Sequence, residues 1–226
     1  MNRMLLTLAL LLSGLFARAG EPYVCTKPGR TLMYERTKAN GRIERTSTLE
    51  YTGVRTVGGT RYVDCIFTLR GPGGGELYGG PSRQTTVIAA DGSTRQDLGE
   101  AYKAVLHNMF PGMSQSVEGT PAILPADMKP GDKLPDSHCK IKTGPMTHTV
   151  DLIEREVLRY ERITVPAGTF DCVVLRERKI ERGIGRNRDT LTENWYAPGF
   201  GPVRHDSYNY NNGKPTFGAR EVLKKY

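Results

Sequence analysis

Residues Thr31–Arg70 read TLMYERTKANGRIERTSTLEYTGVRTVGGTRYVDCIFTLR, and this stretch decides the fold class. Two extended runs, Thr31–Lys38 and Arg42–Thr56, flank Asn40-Gly41. Asn-Gly supplies the positive φ values that a type I′ hairpin turn needs. Gly58-Gly59 makes a second turn, into Arg61–Arg70. In the middle run Ile43, Leu49 and Tyr51 share one parity, while Arg42, Glu44 and Glu50 share the other. That period of two is the pattern of a strand with one wet face.

The same rhythm continues outward. Gln84–Ala90 is closed by Asp91-Gly92, and Phe170–Ile180 follows the turn Pro166–Thr169. Asp189–Tyr196 precedes Pro198-Gly199, and Val203–Asn211 and Thr216–Lys224 flank Asn212-Gly213. Asp151–Tyr160 is ambiguous. It carries Ile153, Val157 and Tyr160 at helical spacing, but Ile163-Thr164-Val165 beside it is β-rich. Residues 113–137 are rich in Pro and Gly, read as irregular, and offer a candidate boundary between two halves.

One substantial helix is predicted, over about residues 97–110. Asp97 caps it, and Glu100 stands three residues on, as in a capping box. Leu98, Tyr102, Val105, Leu106 and Met109 recur at helical spacing before Pro111-Gly112 ends the run. The apolar stripe suits packing against a sheet, or lining a ligand cavity.

Export is legible at the start of the chain. Arg3 precedes the apolar run Leu5–Phe16, and Ala17-Arg18-Ala19 places small residues where a signal peptidase reads. This is the layout of a signal peptide over residues 1–19, cleaved near Ala19, ahead of a single exported β-rich domain over 20–226. A membrane span needs about 20 apolar residues, more than this run has. A lipid anchor on Cys25 fails because Val24 occupies a position that wants a small residue. The expected product is periplasmic, extracellular or envelope-associated, and not transmembrane once cleaved.

Loss of residues 1–19 leaves 30 basic against 24 acidic side chains. The basic residues are interspersed with acids along the strands, with no block of like charge, so no nucleic-acid partner is expected.

Four cysteines, Cys25, Cys65, Cys139 and Cys172, permit two disulfides in three connectivities. Buried thiols are the alternative, because Cys65 shares a row with Val63, Phe67 and Leu69, and Cys172 with Phe170 and Val174. Cys139–Cys172 is the preferred pair, since both lie in the second half.

Catalytic patterns are missing from the sequence. No Gly-x-Ser-x-Gly elbow occurs after the leader. His107, His138, His148 and His205 carry no metal spacing, and Asp136 with His138 makes at most half a site. The Gly71–Ser82 loop has six glycines but lacks the Lys of a phosphate-binding loop, so it reads as a mobile hairpin loop. Glu154, Glu156, Glu161, Asp171 and Glu177 read as the wet faces of strands. No cofactor, metal or catalytic residue is expected. Trp195, Tyr196, Tyr208 and Tyr210 suit an aromatic platform or a core Trp with cross-strand tyrosines.

Three stretches of the second half carry a family likeness. They are Asp127–Asp136 (DMKPGDKLPD), Ile163–Cys172 (ITVPAGTFDC) and Trp195–Val203 (WYAPGFGPV). Over about residues 98–226 the chain resembles the TapB-like group of exported bacterial domains of unknown function. The resemblance implies a long curved antiparallel sheet, half-closed into a barrel or sandwich, and a Gram-negative envelope address. It also favours a strand over a helix for Asp151–Val165, and it transfers no catalytic residues.

The expected protein is therefore mainly β, with about ten antiparallel strands forming a half-barrel or sandwich and one helix. The expected role is a non-enzymatic envelope protein that holds a lipid or other apolar ligand in the half-open sheet. Tyr102, Leu106, Met109, Trp195 and Tyr196 are the candidate lining residues. The alternatives are a structural envelope protein acting through protein partners by sheet-edge addition, and an enzyme acting on polysaccharide or peptidoglycan.

Overall fold

The computed structural model describes residues 20–183, 185–211 and 213–226; the expected signal peptide lies outside them. The elements run β1 (Thr31–Lys38), β2 (Ile43–Val57), β3 (Thr60–Arg70), β4 (Ser82–Ile88), β5 (Thr94–Gln96) and α1 (Leu98–Met109). They continue as β6 (Gln115–Gly119), β7 (Ala122–Leu124), β8 (Ser137–Thr143), β9 (Met146–Val165) and β10 (Gly168–Gly183). Last come β11 (Arg186–Ala197), β12 (Gly201–Asn211) and β13 (Lys214–Lys225).

All thirteen strands hydrogen-bond into one open antiparallel sheet, ordered β6-β8-β9-β10-β11-β12-β13-β1-β2-β3-β4-β5-β7. The turns follow the sequence chemistry. Gly58 and Gly59 adopt φ values of 55° and 81°, a left-handed pair that joins β2 to β3 with two residues. The segment 113–137 is less irregular than its composition suggests, because β6 pairs with β8 and β7 with β5. These short strands, with β5, raise the count above the ten expected.

Asp151–Tyr160 lies wholly within β9. Its helical-looking spacing arises where the strand departs from strict alternation. Glu154 takes φ 55°, and the register against β10 shifts between Arg176 and Arg178. An extra residue in one strand restarts the alternation of side chains.

The helix begins as predicted. The Asp97 carboxylate accepts from the Glu100 amide at 2.9 Å. The Glu100 carboxylate pairs with Lys103 at 3.2 Å. The apolar stripe of α1 packs against β4 on one arm of the sheet and against β6 and β8 on the other, so α1 spans the gap between the two arms. Gly99 permits the contact with β6, since a Cβ there would fall 2.4 Å from Val117 Cγ1.

The core lies in three clusters. The largest joins Leu32, Tyr34, Tyr51, Val63, Trp195 and Leu223 with their neighbours. A second closes Leu124, Met128 and Leu134 onto Val157, Leu175 and Tyr196. The third packs Leu106 of α1 on Cys139, Ile141 and Val150.

The four cysteines are free and buried. Cys139 pairs with Val150, and Val150 with Glu181. Cys172 stands nine residues back along β10, roughly 30 Å away at about 3.3 Å per residue. That is far beyond the ~7 Å Cα limit of a disulfide, so the preferred Cys139–Cys172 bridge is not made.

Candidate functional site

Strand alternation assigns one row of β10 to the face that α1 covers: Val173, Leu175, Glu177, Lys179 and Glu181. Cross-strand pairing carries that row around the sheet. Leu175 faces Asn194, Asn194 faces His205, and His205 faces Glu221. Glu221 faces Arg36, which faces Arg45. The inner face is thus apolar at one end and charged at the other.

The charged end is organised by hydrogen bonds. Arg155 Nε lies 3.1 Å from Glu177 Oε2, and Arg155 is 2% exposed. Asn194 Nδ2 donates to Glu177 Oε1 at 3.2 Å, and its Oδ1 lies 2.6 Å from His205 Nδ1. An amide oxygen only accepts, so Nδ1 carries the His205 proton. Burial, then Arg36, Lys179 and Arg45, pushes the His205 pKa down to about 3, which keeps the imidazole neutral. Burial raises the Glu177 carboxyl above the usual range, against the pull of Arg155.

Lys179 donates to Tyr102 Oη at 2.9 Å, and Tyr102 in turn donates to Glu181. Arg186 Nε stands 3.3 Å from Glu181 Oε2. Burial disfavours both charges, but their neighbours win: Tyr102 and then Glu181 hold the Lys179 pKa above its ordinary value, and Lys179, Tyr102 and Arg186 hold the Glu181 pKa below. Arg36 pairs with Glu44 at 2.9 Å and donates to Ser207 Oγ at 2.6 Å. Arg45 Nη2 is 3.6 Å from Glu221 Oε2, and its buried Nε has no partner among the described residues.

Two cavities adjoin here. One, of about 330 Å³, lies between α1 and the sheet, with Phe67, Leu69, Val105, Leu106 and Met109 in its walls. Arg45, Lys179 and Arg186 line it too. The other, of about 640 Å³, is polar and includes Arg36, Glu44, Glu181, His205 and Ser207. Arg45, Lys179 and Arg186 line both cavities. The glycine-rich loop is docked rather than free, because Asn108 of α1 donates to Pro81 O at 2.9 Å and Tyr78 lines the smaller cavity.

Of the sequence candidates, Tyr102, Leu106 and Met109 line the smaller cavity together. Trp195 and Tyr196 do not. Trp195 is 2% exposed under Arg204, 4.0 Å from its ring centroid, and donates to Glu161 at 3.0 Å. Tyr196 is buried against Val173 and Leu175. Sequence reading missed Arg45, His148, Lys179 and Arg186. For Arg45 and Lys179 a signal existed: each occupies the apolar parity of its strand, with Leu49 and Tyr51, and with Val173 and Leu175.

Among the described residues, no group of three His, Cys, Asp or Glu side chains could hold a metal ion, and no helix is long and apolar enough to cross a membrane.

The arrangement defines a class: an open antiparallel half-barrel whose gap is bridged by a helix over a chamber with one apolar and one cationic side. Within that class, the chain belongs to the DUF3108-like family, whose model matches residues 27–216. That match takes in both halves, whereas the motif likeness covered only the second.

Two solved structures share the fold. A protein described as exported, with a YmcC-like fold, from Bacteroides fragilis is 18% identical with a TM-score of 0.71. The alignment covers 91% of this chain and 98% of that one. A protein described as a lipoprotein from Parabacteroides distasonis is 19% identical with a TM-score of 0.70, over the same shares. No curated protein matches the chain.

Proposed function

We propose that this is an exported protein of the cell envelope that works by holding a ligand with an apolar part, not by breaking bonds. The observation that carries the reading is the 330 Å³ cavity between α1 and the sheet, walled by Phe67, Leu69, Val105, Leu106 and Met109. Its size lies at the small end of the range typical of ligand sites. Such an apolar space between well-packed layers is what a carrier needs, and a domain stabilised only by its core would fill it.

The signal-peptide layout of residues 1–19 and the descriptions of the two structural neighbours as exported and as a lipoprotein support the envelope address. The narrower TapB-like likeness of residues 98–226 belongs to the same proposal. Native mass spectrometry of protein purified from its host's periplasm tests it. A copurifying ligand lost on Leu106→Trp, which fills the cavity, is the expected result. Consistently bare protein would remove the carrier role.

A further inference from the structure

The charges on the cavity identify its ligand more narrowly. We infer that the site takes a single-chain anionic amphiphile, an alkyl chain bearing a carboxylate or phosphate head, with the head between Arg45, Lys179 and Arg186. This rests on the carrier reading above and adds the chemistry of the ligand.

Three observations support it. First, those three cations line both the apolar and the polar cavity, so they stand where the two meet. A ligand with its chain among Val105, Leu106 and Met109 would bring its polar end to them. Second, the local acids do not saturate them. Four cations, Arg36, Arg45, Lys179 and Arg186, meet three acids, Glu44, Glu181 and Glu221. Among the described residues the odd charge is positive, and Arg45 Nε is buried without a partner. Guanidinium groups match carboxylate and phosphate oxygens in geometry and charge.

Third, His148 is a buried polar side chain left unfinished. It is 3% exposed and lines the apolar cavity. Its Nδ1 donates to Gly183 O at 2.9 Å, and its ring lies 5.3 Å from that of Tyr102. Its Nε2 is buried with no partner among the described residues. With Nδ1 donating to a carbonyl, the neutral ring leaves Nε2 as an acceptor, and a head-group hydroxyl, such as the P–OH of a monoanionic phosphate, would donate to it and relieve the desolvation cost. A neutral or cationic amphiphile leaves the excess positive charge unmet or adds to it.

The test uses the delipidated mature chain and isothermal titration with dodecanoate, dodecyl phosphate, dodecanol, dodecyltrimethylammonium and inorganic phosphate. Dodecanoate or dodecyl phosphate should bind at least about tenfold more tightly than dodecanol, since a hydrogen bond to a charged group contributes that much. Whichever of the two binds tighter names the head group. Dodecyltrimethylammonium and inorganic phosphate should not bind measurably.

Arg45→Met with Lys179→Met should remove about tenfold or more of the anionic affinity and leave dodecanol unchanged. If that double variant loses its β circular dichroism spectrum, Arg186→Gln, at a partly exposed side chain, takes its place with the same expected outcome. Dodecanol binding as tightly as dodecanoate overturns the anionic head while leaving the carrier reading intact. Inorganic phosphate binding as tightly as dodecyl phosphate overturns the amphiphile. Binding by no alkyl probe overturns both readings.

Discussion

At one end of the inner face, Val157, Val173, Leu175 and Tyr196 close on Leu124, Met128 and Leu134. A few residues further along the same strands, Arg155, Glu177, Lys179, Glu181, Asn194 and His205 meet each other instead. Both ends exclude water from most of their side chains, but they do so at different cost. The apolar end is stabilised by burial itself, at about 25 cal/mol per Å². The polar end must offset the desolvation of every charge with a partner, and it does so incompletely. A region that spends stability in this way, beside an open cavity, is where a functional site is expected.

Removing one partner of the buried ion pair breaks the polar end. Arg155→Ala leaves Glu177 uncompensated and should cost about 3–5 kcal/mol in urea unfolding. Acidification should then restore part of the loss. A carboxyl whose folded pKa is raised takes up its proton in the folded state first, so folding gains as pH falls through the window above the ordinary carboxylate value. A loss that did not respond to pH would show that packing, not charge, was removed.

Leu175→Ala, in the apolar end of the same row, should cost about 2–5 kcal/mol with no such pH response. The pair of variants thus measures the difference between the two ends directly.

His205 gives an effect that emerges only on acidification of the unaltered protein. Its pKa is about 6.5 in the unfolded chain and about 3 when folded. The folded state therefore binds the proton less readily, and stability is complete above pH ~6.5 and declines as pH falls toward 3. His205→Asn should flatten that decline, read from thermal midpoints across the range; an unchanged slope would mean that His205 is not the titrating group.

The smallest effect concerns the thiols. Burial pushes Cys65 and Cys139 up to about 11 and Cys172 up to about 12. Alkylation by iodoacetamide at pH 8 should be slow in the native protein and rapid in urea. Fast native labelling of Cys139 would show that α1 opens readily from β8.

Strand alternation in Thr31–Arg70, the Asn-Gly and Gly-Gly turns and the Asp97 cap were legible because they depend on residues close in sequence. The short strands were not: β6 and β7 pair with strands far along the chain, and β5, across the Asp91-Gly92 turn from β4, is only three residues long and shows no alternation. The Glu154 irregularity hid β9 by shifting its alternation. The disulfide expectation failed for a similar reason: proximity in sequence half says nothing about strand register. At the site, the apolar stripe of α1 marked one wall, but the cations are scattered over β2, β10 and β11 and only the pairing register collects them.

One feature of the topology bears on how the chain reaches this state. Most neighbours in the sheet are consecutive hairpin strands, but β1 and β13 meet at its centre, with Met33 opposite Lys225. Two meanders can zip locally, and the seam between them forms only after the C-terminal strand is available. Until then β1 presents a bare edge, the kind of surface that recruits other chains. Folding should accordingly be slow for a protein of this size, limited by closing the largest loop the chain contains.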